Sequence, residues 1–163
     1  MSISLKIRSL WFAGLGAALI GAPAHAGLGR PLSDAARDGT PVVQAQRQAA
    51  QAASTAGAAA ATVRSQTIET PQGATVTEYA DAGGTVFAIT WKGQFKPDLQ
   101  QLLGDYFGPY LQAAEVQPQQ LNQSRVHGAD VVVHSAGRMR AFVGVAWVPS
   151  RVPAGFDPST LQP

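Results

Sequence analysis

Leu99, Leu102, Leu103, Tyr106, Phe107, Tyr110 and Leu111 fall at i, i+3, i+4, i+7, i+8, i+11 and i+12. That spacing gathers them on one wide apolar stripe of a helix. Every other patterned stretch after Val63 is built from strand-forming residues, so this one helix has to serve as the cover of a sheet. Pro97 suits the first helical position, because its missing N–H has no intrahelical partner there. Asp98 suits the positive end of the helix dipole. Gly108-Pro109 predicts an end or a kink near Phe107, since an interior proline removes a hydrogen bond and clashes with the preceding turn.

The strands are read from composition and punctuation. VRSQTIET, ATVTEYA and TVFAITW are rich in Val, Thr, Ile, Tyr, Phe and Trp, which fit a pleated, half-buried surface. Thr70-Pro71-Gln72-Gly73 and Asp81-Ala82-Gly83-Gly84 separate them as turns, proline presetting φ and glycine tolerating a positive one. Period-two alternation puts Thr85, Phe87, Ile89 and Trp91 on one face. After the helix, EVQPQQLNQSR (115–125) reads as a polar loop. ADVVVH and MRAFVGVAWV then form a hairpin, with SAGR as its short connection. Met139, Ala141, Val143, Val145 and Trp147 point one way, and Arg140, Phe142, Gly144 and Ala146 the other. The expected fold is α+β: a curled antiparallel sheet of about five strands (β-β-β-α-β-β) with one helix packed on one face.

Before this domain the chain changes character twice. MSISLKIR is positively charged, SLWFAGLGAALI is apolar, and GAPAHA ends in small residues, with Ala24 and Ala26 forming an A-x-A site before Gly27. This is the three-part pattern of a secretory signal peptide over residues 1–26. Its apolar run is about a dozen residues, short of the ~20 that span a bilayer as a helix; an uncleaved anchor is the rival reading. Residues 27–62 are rich in Ala, Gln, Ser and Thr and hold no aromatic residue. Such a segment buries little surface and reads as a flexible or weakly helical leader. A helix from Val42 to Ala53 docked on the domain is the alternative. The domain itself is placed at 63–157, followed by a tail at 158–163. The expected location is periplasmic or secreted, with no transmembrane segment once the signal is removed.

The chain has 12 Lys+Arg, 10 Asp+Glu and no cysteine. Removing Lys6 and Arg8 with the signal leaves ten basic residues against ten acidic ones, a balance that argues against a nucleic-acid binder. Without cysteine there are no disulfides and no thiolate metal sites, so packing alone must stabilise the exported protein. His127 and His134 lack the spacing of a metal motif, and Asp130 adds a third candidate scattered over loop and strand; no metal and no cofactor is expected. His134 and Ser135 are adjacent on a strand and so point to opposite faces, poorly placed for a nucleophile and its base. Together with the missing G-x-S-x-G elbow, this makes a hydrolase the least favoured reading. Glu69, Glu78 and Asp81 fall on or beside the first hairpin, where surface carboxylates are commoner than an acid/base pair.

His134, Ser135, Arg138 and Arg140 form the densest polar group on an otherwise apolar hairpin, with Ser135 assigned to the turn and His134, Arg138 and Arg140 left to carry the chemistry. They are the candidate ligand-binding residues, for a small anion or carboxylate. The bland reading leaves the arginines solvated at a strand end. The final strand is apolar on both sides, and one helix covers one face. Phe142 and its neighbours therefore call for cover by the leader, the tail or another molecule.

Three blocks carry a resemblance: TVFAITWKG, PDLQQLLGDYF and HSAGRMRAFVGVAWVPSRVPAGF. They resemble the domain of unknown function 2844 family of exported bacterial proteins, over roughly residues 63–157. The resemblance implies a small exported protein with no assigned activity, and it brings no catalytic residue. The expected function is a non-enzymatic binding or interaction module of the bacterial envelope, contacting a protein or envelope component through the Phe142 side of the sheet. Binding of a small anion at 134–140 is the alternative.

Overall fold

A computed structural model describes residues 27–33, 40–41, 63–117 and 122–163. The signal segment with Ala24 and Ala26, and the expected helix from Val42, lie outside the described residues. The chain forms one open antiparallel sheet. Its strands are β1 (Thr40–Pro41), β2 (Arg64–Glu69), β3 (Thr75–Ala80), β4 (Val86–Gly93), β5 (Gln123–His127), β6 (Val132–Arg138) and β7 (Ala141–Trp147). They are ordered β1-β2-β3-β4-β7-β6-β5. With β1 only two residues long, six strands have ordinary length. Two three-stranded meanders, β2-β3-β4 and β5-β6-β7, thus meet along the β4·β7 ladder. The α+β expectation holds, with one more strand than expected.

The extra strand is β5, which occupies the end of the segment read as a polar loop. Period-two alternation is hidden there, because β5 buries Val126 alone and exposes Gln123, Arg125 and His127. Its last rung is closed by a side chain: the Gln117 amide donates to the His127 carbonyl and accepts from the His127 N–H, both at 3.0 Å. The amide stands in for a neighbouring strand and satisfies an edge that backbone does not pair.

Both turns of the first meander form as read. Gly73 and Gly84 have positive φ, and each N–H donates to a carbonyl three residues earlier, at Thr70 and Asp81. The connection between β6 and β7 differs. It is Met139-Arg140, with Arg140 at φ 59°, and the Ser-Ala-Gly-Arg segment belongs to β6. The face assignment in β4 differs too. Ala80 pairs with Val86 and Tyr79 with Ala88, which leaves Phe87 as the extra residue of a β-bulge. A bulge shifts the alternation by one, so Phe87 packs with a different cluster from Ile89 and Trp91.

The helical rod is α1 (Leu99–Leu103), a 3₁₀ turn over Gly104–Tyr106, and α2 (Phe107–Glu115). Asp98 is its N-cap, its Oδ1 accepting from the N–H groups of Gln100 and Gln101 at 2.9 and 3.1 Å. The break falls at Gly104, whose φ of 52° ends α1, and not at Gly108-Pro109. Pro109 sits in the first turn of α2, where the N–H it lacks has no partner to lose. Leu102 and Leu103 are buried against Ile68, Val76, Ile89, Trp91, Val133 and Ala146, while Leu111, at the end of the stripe, is exposed.

Gly27–Ser33 behaves unlike a flexible leader. Leu28 is 1% exposed within the same core. Its N–H reaches the Leu102 carbonyl, and Gly29, Arg30 and Leu32 exchange backbone hydrogen bonds with Val86 and Gly84. Low average apolarity concealed one well-placed leucine. At the other end, Val152, Phe156 and Leu161 fold onto the opposite face of the sheet over Phe87 and Ala88. The tail therefore contributes to the core, through a residue beyond 157. Among the described residues, no helix is long and apolar enough to cross a membrane.

Candidate functional site

Register decides which side chains share a face. β4 pairs with β7 through Ile89↔Ala146, Trp91↔Gly144 and Gly93↔Phe142, and β7 with β6 through Ser135↔Gly144 and Gly137↔Phe142. Ile89, Trp91 and Ala146 belong to the core under the helix. Phe142 therefore stands on the helix face, and the expectation that it marks the uncovered side is corrected. The alternation within β7 holds; the rod crosses the side that carries Phe142, Gly144 and Ala146.

Two glycines shape this end of the helix face. A Cβ at Gly144 would stand 2.2 Å from Trp91 Cζ2, and one at Gly137 would stand 2.6 Å from Phe142 Cδ1. Each aromatic ring thus lies over a strand glycine, where any other residue would hold it off the sheet. The rings line an open cleft of about 260 Å³, closed on the rod side by Leu99 and Tyr110 and edged by Lys96, Asn122, Ser124 and Ser135. An apolar surface with a few placed polar groups is the usual make-up of a ligand site. A second cleft, of about 240 Å³, lies on the other side of the β4–α1 loop and shares Lys96 and Pro97 with the first. Its walls include Ile68, Val76, Leu102 and Phe95, and Phe95 is 64% exposed.

The candidate anion residues are elsewhere. His134, Arg138 and the preceding rungs of β6 alternate away from Ser135 and Gly137, so His134 faces the side opposite the rod. Arg138 and Arg140 are exposed at the β6–β7 turn. Neither cleft is lined by His134, Arg138 or Arg140. Ser135 borders the first cleft while His134 does not, so the two do not form a nucleophile–base pair.

His134 instead meets His127. Arg125 pairs with His134, and His127 with Val132, so the two histidines are diagonal neighbours on one face of adjacent strands. Their Nε2 atoms are 2.9 Å apart. The ring centroids lie 4.8 Å apart, and Trp147 presents itself edge-to-face to His134 at 5.1 Å. Partial burial, followed by the charges of His127 and Arg125, holds the His134 imidazole below its ordinary value of 6.5. The sequence hides this pair because 115–125 reads as loop; the two histidines, seven apart, meet through the pairing of β5 with β6.

The carboxylates do not assemble. Glu78 is 1% exposed on the helix face, beside Ile89 and Gln66, whereas Glu69 is exposed on a strand position of opposite parity. Asp81 serves the turn, its Oδ1 accepting from the Thr85 N–H at 3.0 Å. Among the described residues, no group of three or more His, Cys, Asp or Glu is placed to hold a metal ion.

The match to known families now bears on this geometry. Residues 24–161 match the family described as Protein of unknown function (DUF2844). The chain belongs to the DUF2844 family. The match takes in Leu28 at one end and Leu161 at the other, and so extends beyond residues 63–157 at both ends, as the packed core does. No curated protein and no solved structure matches the chain.

Proposed function

We propose that this DUF2844 protein is an exported, non-enzymatic binding module of the bacterial envelope, and that its contact site is the aromatic-lined cleft beside the helical rod. The observation that carries the reading is the seating of Trp91 on Gly144 and of Phe142 on Gly137. Glycine weakens a strand interior, and here it occupies two neighbouring strands to let two rings lie against the sheet. The cleft suits an amphiphilic envelope component. Its apolar face would rest on Phe142 and Tyr110 against the edge of the buried Trp91, its hydroxyl or amide groups would meet Asn122, Ser124 and Ser135, and a negative charge would meet Lys96.

Trp147→Phe leaves Trp91 as the reporter once Trp11 has gone with the signal. Titration with soluble cell-wall fragments should give a saturable change in Trp91 emission, weakened by Tyr110→Ala. Ligands that bind without moving that emission, or equally well without Tyr110, would sink the assignment. Export is checked separately by sequencing the N-terminus of protein from the periplasmic fraction, where Gly27 is expected first.

The exposure of Phe95 beside the second cleft supports a second reading, contact with a protein partner. On that reading Phe95→Asp abolishes co-purification of the partner and leaves the Trp91 titration unchanged.

A further inference from the structure

We propose that His127 and His134 form a solvent-open, two-imidazole site for a divalent transition-metal ion of tetragonal preference, Cu²⁺ foremost. The site is separate from the cleft and stands whether or not that assignment does. The two Nε2 atoms face each other at 2.9 Å across one pair of strands, with the ring planes 51° apart. Both ligands are held in place. The His127 backbone is clamped on N–H and C=O by the Gln117 amide, and Gly128 N–H donates to the Val131 carbonyl just beyond it. The His134 ring is set against the edge-to-face ring of Trp147.

The separation selects the geometry. With metal–nitrogen bonds of about 2.0–2.1 Å, ligands at right angles stand about 2.8–3.0 Å apart, and tetrahedral ones about 3.3–3.4 Å. The observed 2.9 Å matches the spacing of adjacent corners of a square, which the hydrogen-bonded rings reach by turning both Nε2 lone pairs toward a common point off the N···N line. Imidazole suits Cu²⁺, which also heads the divalent affinity order. When both rings are neutral, one Nε2–H bridges the pair. On binding, that proton moves to Nδ1 of the same ring, both Nε2 lone pairs go to the ion, and no net proton is released. His127 is exposed, which leaves the remaining corners to water or an added ligand. Arg125, paired with His134, brings a like charge that moderates affinity.

The test is calorimetry and electron paramagnetic resonance of the tag-free protein with Cu²⁺ alone. One ion per chain should bind at this site with an axial spectrum split by two imidazole nitrogens. His127→Gln and His134→Gln should each weaken binding by more than ~10-fold, the low end of what loss of an outer-shell partner brings. Arg125→Gln should bind as tightly as the parent or tighter. Thermal melts establish that each variant is folded, and the nitrogen count in the parent spectrum stands independently of any variant. No saturable binding, a spectrum with fewer than two imidazoles, or unchanged binding in the His127→Gln/His134→Gln double variant overturns the proposal. Zn²⁺ held more tightly than Cu²⁺ overturns the tetragonal assignment.

Discussion

The two faces of the sheet are covered by different means. Over one, the rod joining β4 to β5 crosses a continuous core that runs from Ile68 and Val76 to Val133 and Ala146, with Leu28 plugged in from the N-terminal side. Over the other, a terminal segment lays Val152, Phe156 and Leu161 onto Phe87, Ala88, Tyr79, Val145 and Trp147. The rod is tied to the sheet at both ends by β4 and β5, while the other cover is the segment that follows β7. The tail cluster draws on β3, β4 and β7 and takes no residue from β5 or β6, and it is there that His127, His134 and Arg125 stand. On both faces the polar candidates gather where the apolar cover stops. That is how a small sheet keeps a core and still presents groups to solvent.

The sharpest way to break this contrast is at Gly144. A Cβ there meets Trp91 at 2.2 Å on one side and the His134 carbonyl oxygen at 2.8 Å on another, so neither neighbour yields easily. Gly144→Ala should cost about 3 kcal/mol, the upper range for overpacking a well-filled core. Gly137→Ala should cost less, because the Phe142 ring it meets borders the open cleft and has room to swing. Urea unfolding of both variants measures the difference. Equal effects would mean that the helix face is no more rigid at its centre than at its end.

The tail side should respond more mildly. Phe156 packs edge-to-face on Phe87, centroids 5.1 Å apart, and is itself only half-buried. Phe156→Ala should cost roughly 2 kcal/mol, below the range for a fully buried phenylalanine. Limited proteolysis should then cut the tail first and leave the rod intact. Simultaneous digestion of both would show that the faces unfold as one unit.

How much of this was legible follows from where each signal sits. The alternation of Phe142, Gly144 and Ala146 against Val143, Val145 and Trp147 came straight from period two, and the seven-residue stripe from period 3.6. Both are local. The side of the sheet that the rod crosses is not local, so alternation alone puts Phe142 on the wrong face although it reads the strand correctly. Phe87 was misplaced by a bulge, a one-residue irregularity that alternation does not announce. Gly104 and Pro109 exchanged roles because a proline is harmless in a first turn and a glycine at positive φ is a natural stop. The cleft depends on Gly137 and Gly144 facing aromatic rings on neighbouring strands, and the histidine pair depends on the β5–β6 register. Pairing of that kind becomes visible only once strands are side by side.

A smaller effect tests the anchoring of the rod. Asp98 accepts from two first-turn N–H groups, and Asp98→Ala should cost about 1 kcal/mol. Because the cap is remote from the tail, its cost and that of Phe156→Ala should add. A clear excess or shortfall in the double variant, read from denaturant midpoints, would show that the two covers communicate through the sheet.

The smallest effect concerns Tyr79, which lies under the tail. Burial raises its phenol above the ordinary value of 10.0, and a hydrogen bond with Thr90 offsets part of the rise. A raised value means that the folded state favours the neutral phenol. The stability it contributes is fully present below about pH 10 and is lost as pH climbs through the folded value, where the unfolded chain has already released its proton. Tyr79→Phe should therefore flatten the alkaline decline in stability, and phenolate absorbance should show one late step that this variant lacks. Phe156→Ala should move that step back toward 10, since it thins the cover over the same cluster. A late step that stays in place without Phe156 would mean that the strands alone desolvate Tyr79, and that the tail is a looser lid than its packing implies.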